Sequence, residues 1–235
     1  MKAIAALAFA LLVASCSQLP GSPPGPAPSQ AQRAAQDEWR SELAAFAEAD
    51  RRQMPPPGGV LFVGSSTIRM WETLAQDFGE QPVVINRGFG GSTMADCSLL
   101  ARELVVRYRP RQVLLYAGDN DLALGRTPQQ VLAEFARFVA AVRAELPAAR
   151  IEVISVKPSP ARQVLLPRMR ETNALLAAHV KTLSGSAYID VFTPMLEPDG
   201  RPRAELFADD QLHLSAAGYR LWQSVIGPYL SPPAH

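Results

Sequence analysis

Hydrophobic and polar positions divide the chain into stretches of different character. Lys2 precedes an apolar run from Ala3 to Ala14, and residues 3–30 contain no Lys, Arg, Asp or Glu. Gln18 to Gln30 is rich in Pro, Ser, Gly and Ala, with no apolar face to pack, and reads as an extended tether. From residue 31 to 53 the pattern turns helical, with Trp39, Leu43 and Phe46 at i, i+4 and i+7 and charged residues between them. Pro55-Pro56-Pro57-Gly58-Gly59 closes that segment. After it, short apolar runs alternate with longer periodic stretches. Val60–Val63, Val83–Ile85, Val113–Tyr116, Ile151–Ile154 and Tyr188–Val191 read as strands. Most lack polar alternation, as expected of a parallel sheet covered on both faces. Helices are predicted near 93–107, 128–146, 168–183 and 215–226. The second carries the clearest signals: Thr127 and Gln130 make a capping-box pair around Pro128, and Pro147 stops the helix. Val131, Phe135, Phe138, Val139, Val142 and Leu146 mark its buried face. Repeated strand–helix alternation predicts right-handed crossovers and a three-layer, doubly wound α/β domain on a five-stranded parallel sheet.

Composition narrows the class. Of 235 residues, 48% are hydrophobic and 19% charged, enough apolar surface to bury a core. Lys and Arg number 23 against 22 Asp and Glu, and the net charge of +1 provides no global field for nucleic acid or anionic headgroups. Two cysteines, Cys16 and Cys97, exclude a disulfide scaffold. With no C-x-x-C and only His179, His213 and His235, a His/Cys zinc site is not expected. The apolar run at the start is too short to span a bilayer, which takes about 20 residues, and has the form of a secretory signal. It ends in Val13-Ala14-Ser15-Cys16, which resembles the lipobox of bacterial lipoproteins. That resemblance implies a signal peptide over 1–15, a lipid on Cys16 and a tether over 16–30. With Ser17 after the cysteine, it further implies a cell-envelope protein anchored in the outer membrane and facing the periplasm. An ordinary signal with Cys16 incidental is the alternative. Residues 31–57 then form an N-terminal helix and its Pro-rich connection, and 58–235 the main domain.

In an open α/β sheet, ligands bind beyond the carboxyl ends of the strands. Five segments follow the five apolar runs: Gly64-Ser65-Ser66-Thr67, Asn86 to Ser92, Gly118-Asp119-Asn120-Asp121, Lys157-Pro158-Ser159-Pro160, and Asp209-Asp210-Gln211-Leu212-His213. Taken singly, each reads as turn or capping chemistry. Elimination among the histidines sharpens the set, because a serine nucleophile needs a base. His235 is terminal, and His179 lies in a helical pattern at the edge of the core. Only His213 falls on the expected ligand edge, with Asp210 three residues before it to hold the imidazole. Cys97 reads as a small buried hydrophobe and Trp71 as a packing residue.

These blocks, in this order, resemble the SGNH/GDSL hydrolase family over roughly residues 58–226. Gly64-Ser65-Ser66 matches the Gly-Asp-Ser block, with Ser65 where the family usually has Asp; a serine there can still accept a loop hydrogen bond, and the departure bears on loop rigidity more than on catalysis. Asn86-x-Gly88-Phe89-Gly90-Gly91 matches the second block, Gly118-x-Asn120-Asp121 the third, and Asp210-x-x-His213 the last. The resemblance implies a flavodoxin-like sheet and a serine esterase without metal or organic cofactor. It also implies Ser66 as nucleophile, His213 as base, Asp210 as its orienting acid, and an oxyanion hole from Ser66, Gly91 and Asn120. The implied partners are small-molecule, carbohydrate or lipid esters, and a membrane through the lipid anchor, with no nucleic acid. Other readings of the same residues are a surface-tethered binding module of this fold, an O-acyltransferase, and a nucleotide- or phosphate-binding protein. Against the last, Thr93 stands where G-x-G-x-x-G needs its final glycine.

Overall fold

The structure is a computed structural model and describes residues 27–230. The expected signal peptide, Cys16, most of the tether and His235 lie outside the described residues. Two helices come first, α1 (Gln30–Glu38) and α2 (Arg40–Arg52). Then follow β1 (Val60–Gly64), α3 (Ser66–Arg69), α4 (Leu74–Asp77), β2 (Val84–Gly88), α5 (Met94–Leu99) and α6 (Ala101–Leu104). Next are β3 (Gln112–Tyr116), α7 (Asp119–Ala123), α8 (Pro128–Glu145), β4 (Arg150–Ile154), α9 (Leu166–Val180), β5 (Ser186–Ile189) and α10 (Ala216–Ile226). The five strands form one sheet in the order β2-β1-β3-β4-β5, with every pairing parallel.

Alternate side chains of each strand feed opposite cores. Leu61, Val63, Ile85, Val113, Leu115, Ile151 and Val153 pack against α5, α6, α8 and α9. Val60, Phe62, Leu114, Ile154 and Ile189 meet Trp71, Trp222 and Ile226 on the other face. Helices thus cover both faces, and the sheet is the middle of three layers. Trp71 is fully buried, with its Nε1 donating to Asp77 Oδ2 at 2.6 Å, and Cys97 is buried in α5. Both are packing residues. The Thr127–Gln130 capping box is formed, and the predicted face of α8 is buried through Val142, with Leu146 half-buried just past its end.

Four elements depart from the sequence expectation. The helix expected over 31–53 is two helices broken at Trp39 (φ −98°, ψ 24°), and it begins one residue early because Ser29 and Gln32 cap it reciprocally. No glycine or proline marks that break; it accompanies a tertiary contact, since the Trp39 ring sits edge-on to Phe89 with centroids 4.9 Å apart. Asp50 pins α2 to the sheet, accepting from Arg87 at 2.7 Å and from the Tyr108 hydroxyl at 2.7 Å. The helix near 93–107 likewise divides, at Leu100 (φ −101°, ψ 14°), and ends in a 3-10 turn over Val106–Tyr108. The third helix starts at Leu166 and ends at Val180, three residues short of the expected end. The fifth strand is shifted to Ser186–Ile189, because the Ser155 hydroxyl accepts from the N–H groups of Val191 (3.0 Å) and Phe192 (2.9 Å). Those two donors are withdrawn from the ladder, so the apolar run continues after the strand has stopped.

Candidate active site

The carboxyl edge of the sheet is assembled by hydrogen bonds between the segments that the strands deliver there. Gly64 closes β1 at φ +142°, and a Cβ there would lie 1.8 Å from the Tyr116 carbonyl oxygen. Only glycine lets β1 and β3 approach this closely at their ends. The Phe89 N–H donates to Gly64 O at 2.8 Å and the Ser65 N–H to Tyr116 O at 3.0 Å, joining the first block to the second and third. Asn120 Nδ2 donates to Ser92 O at 3.0 Å, and the Met94 N–H donates to Asp121 Oδ2 at 2.9 Å. Ala161 N–H donates to Gln211 O at 3.0 Å, which ties the segment after β4 to the last block.

Ser66 is the first residue of α3, half-buried, with its N–H free of any partner inside the helix. Its Oγ lies 3.0 Å from His213 Nε2. His213 Nδ1 lies 2.5 Å from Asp210 Oδ2. The other carboxylate oxygen, Oδ1, accepts from the backbone N–H groups of Leu212 and His213, each at 2.9 Å. Gln211 makes this tight turn possible by adopting φ +55°. The hydrogen bond from His213, followed by the two backbone N–H groups, draws the Asp210 pKa down to about 2. Asp210 is therefore a carboxylate at any pH where an imidazole is a free base, and a carboxylate only accepts. Nδ1 must carry the proton, and the Nε2 lone pair faces Ser66.

Gly91 is exposed in the loop after β2 at φ +84°, and the Asn120 amide is bonded to the same loop through the Ser92 carbonyl. The structure therefore brings Ser66, Asp210 and His213 into direct contact and carries Gly91 and Asn120 to the same edge. A 660 Å³ cavity lined by Asp77, Phe78, Gln81, Arg220, Gln223 and Leu230 includes none of them.

Residues 59–221 match the family model of the GDSL-like lipase/acylhydrolase family. The chain belongs to that family. Solved structures agree on the fold of this acylhydrolase. A Streptococcus pneumonia protein provisionally described as a platelet activating factor superposes with a TM-score of 0.74 at 19% identity, covering 85% of this chain and 96% of its own. A GDSL-like lipase from Bacteroides thetaiotaomicron gives 0.64 at 21% identity, covering 82% and 95%. A carbohydrate esterase family 3 protein from Talaromyces cellulolyticus gives 0.58 at 18% identity, covering 73% and 95%. Comparison with curated proteins finds no match. The chain is thus an ester hydrolase of the SGNH/GDSL type.

Two features of this acylhydrolase differ from the sequence reading. The Ser65 hydroxyl is buried and has no hydrogen-bond partner among the described residues, so the loop bond open to it is not made; backbone bonds hold the block instead. The second is a charged cluster beneath Asn120. Lys157 Nζ lies 3.1 Å from Asp119 Oδ2 and 3.2 Å from the Tyr116 hydroxyl. Arg162 reaches the same carboxylate oxygen with Nη1 at 3.1 Å and donates from Nη2 to Asn120 Oδ1 at 3.0 Å. Burial alone would raise the Asp119 pKa, but the two cations outweigh it and hold the carboxyl below its ordinary range. Lys157 stood on the expected edge without a role, and Arg162 carried no signal. The available hint was Asp119 itself, an acid at the end of a buried strand that requires a buried cation.

Proposed function

We propose that the chain is a serine esterase in which Ser66 is the nucleophile, His213 the general base and Asp210 its orienting carboxylate. The observation that carries this reading is the unbroken line from Asp210 through His213 to Ser66, at 2.5 and 3.0 Å. The Ser66 proton passes to His213 Nε2 as Oγ bonds to the ester carbonyl carbon, leaving a tetrahedral oxyanion. The N–H groups of Ser66 and Gly91 and the Asn120 side-chain amide are the proposed donors to that oxyanion. His213 returns the proton to the departing alcohol oxygen, and the acyl group stays on Ser66. Water then attacks with His213 again as base, releasing the acid and restoring the serine. No metal or organic cofactor enters these steps.

The proposed substrates are small-molecule, carbohydrate or lipid esters. A panel of esters of increasing acyl length, carbohydrate acetates included, tests this with wild type and Ser66→Ala together. Turnover is expected on at least one class of these esters and should fall to background in Ser66→Ala. Turnover by Ser66→Ala at the wild-type rate would overturn the assignment. We extend the proposal to location: a lipid on Cys16 holds the domain at the outer membrane through its Pro-rich tether. Cys16→Ser should then leave a folded, active protein in the soluble fraction, and continued membrane fractionation would refute the anchor.

A further inference from the structure

We propose that Arg162 is a positioning residue for the esterase reaction, locking the donor end of the Asn120 amide toward the oxyanion and strengthening it as a donor. The inference rests on the reading of Ser66 and Asn120 above. An asparagine amide has a donor end and an acceptor end of nearly the same shape, and only the donor end stabilises an oxyanion. Two contacts decide which end faces which way here. The Ser92 carbonyl can only accept, and it takes one N–H of Nδ2 at 3.0 Å. Arg162 can only donate, and its Nη2 occupies Oδ1 at 3.0 Å. The amide is held from both sides, and the second N–H of Nδ2 is left for substrate.

Arg162 does more than a neutral donor in its place would do. A charged donor on Oδ1 draws electron density from the amide, so the remaining Nδ2–H becomes a stronger hydrogen bond to an anion. The guanidinium is also drawn toward Asp119 as an ion pair, with Nη1 3.1 Å from Oδ2 but without hydrogen-bond geometry. Asp119 is anchored by Lys157, whose Nζ is 3.1 Å from the same oxygen. The side chains of Asp119, Lys157 and Arg162 are 6%, 2% and 18% exposed, so water does little to screen them. One carboxylate faces two cations. The nearby Asp121 carboxyl is dominated by burial, which raises its pKa to about 6 although its Oδ2 accepts from the Met94 N–H and Arg126 lies near. Within the group of Asp119, Lys157 and Arg162 two cations thus face one carboxylate beside Asn120, and a negative charge develops there only when the ester carbonyl is attacked. Charge prearranged in this way stabilises the transition state more than bound substrate.

The test is a double-mutant cycle on hydrolysis of p-nitrophenyl acetate, with kcat and KM measured for wild type, Arg162→Ala, Arg162→Gln, Asn120→Ala and Arg162→Ala/Asn120→Ala. Arg162→Ala should lower kcat by about tenfold or more with KM within about twofold, the size of a lost charge-assisted bond. Arg162→Gln, which can donate to Oδ1 without charge, should recover part of that loss. In the Asn120→Ala background, Arg162→Ala should cost little further activity, because Arg162 acts through the amide. Thermal midpoints measured alongside separate this from unfolding, and Arg162→Gln serves if the alanine variant does not fold. An equal, independent loss in both backgrounds, a rise in KM alone, or an unchanged kcat in both Arg162 variants would overturn the inference. Ser66→Ala run in parallel keeps the two levels apart: an active Ser66→Ala refutes the esterase reading, whereas an inactive one with an additive cycle refutes only the role of Arg162.

Discussion

The acid–base and oxyanion halves of the proposed site are built by opposite means. The acid–base half is local: Asp210, Leu212 and His213 lie within four consecutive positions and satisfy one another, with the Asp210 side chain 50% exposed. The oxyanion half is long-range. Asn120 depends on Ser92, on Arg162 and, through Asp119, on Lys157, and these residues come from the ends of three different strands. In the first half a carboxylate is kept charged by hydrogen bonds in water. In the second a carboxylate is kept charged in a dry environment by two cations. A local turn can be carried by a short motif, whereas a buried charge network must be correct everywhere at once.

Substitutions in the two halves should therefore fail differently. The largest effect belongs to Asp210→Asn, which leaves the turn in place but removes the acceptor that fixes the His213 tautomer. Its kcat should fall by up to about 10⁴-fold, as the corresponding change does in a serine protease, while the thermal midpoint barely moves. Asn120→Ala should lower kcat by about 10²–10³-fold with KM nearly unchanged, since the oxyanion exists only after attack. Asp119→Asn should act on stability first, because it leaves Lys157 and Arg162 buried without their carboxylate. A loss of about 3–5 kcal/mol in chemical denaturation is expected. A fully stable Asp119→Asn would break the contrast between the halves.

A smaller effect at Glu152, away from the site, sharpens the point about cations. Its side chain is as buried as that of Asp119, but the cation that faces it, Arg150, is half exposed, and its other partner is the neutral Gln112 side chain. Burial dominates there and raises the Glu152 pKa from 4.5 to about 7, despite Arg150. The folded state thus holds this proton more tightly than the unfolded chain does. The contribution of this group to stability is complete below about pH 4.5 and is lost as pH rises through about 7. Glu152→Gln removes the decline, so its thermal midpoint should match wild type near pH 4.5 and exceed it at pH 8. The gain is up to about 3 kcal/mol. An offset that stays constant with pH would show that the carboxyl is not the cause.

The same division explains what could be read from the chain. Val60–Val63 and Val113–Tyr116 were legible because buried parallel strands are uninterrupted apolar runs, and α8 because its cap, face and stop all lie within its own segment. His213 and Asp210 were legible because the turn that joins them is three residues long. Trp39 was not, since the helix breaks there in company with an edge-on contact with Phe89, fifty positions away. Ser186 and Ala187 were missed because small residues on an edge strand carry little apolar signal, and the end of β5 because the competing acceptor, Ser155, belongs to the segment after β4. Arg162 was invisible for the same reason: its partners are Asn120 and Asp119, and nothing adjacent to it in sequence announces them.

The central claim is that Ser66, and not the neighbouring buried Ser65, attacks the substrate, and covalent labelling by a fluorophosphonate probe tests it most directly. The geometry makes the contrast sharp, since Ser66 Oγ faces His213 at 3.0 Å while the Ser65 hydroxyl is buried without a partner. Wild type and Ser65→Ala should be labelled, and Ser66→Ala should not. Labelling of Ser66→Ala, with Ser65→Ala silent, would contradict it.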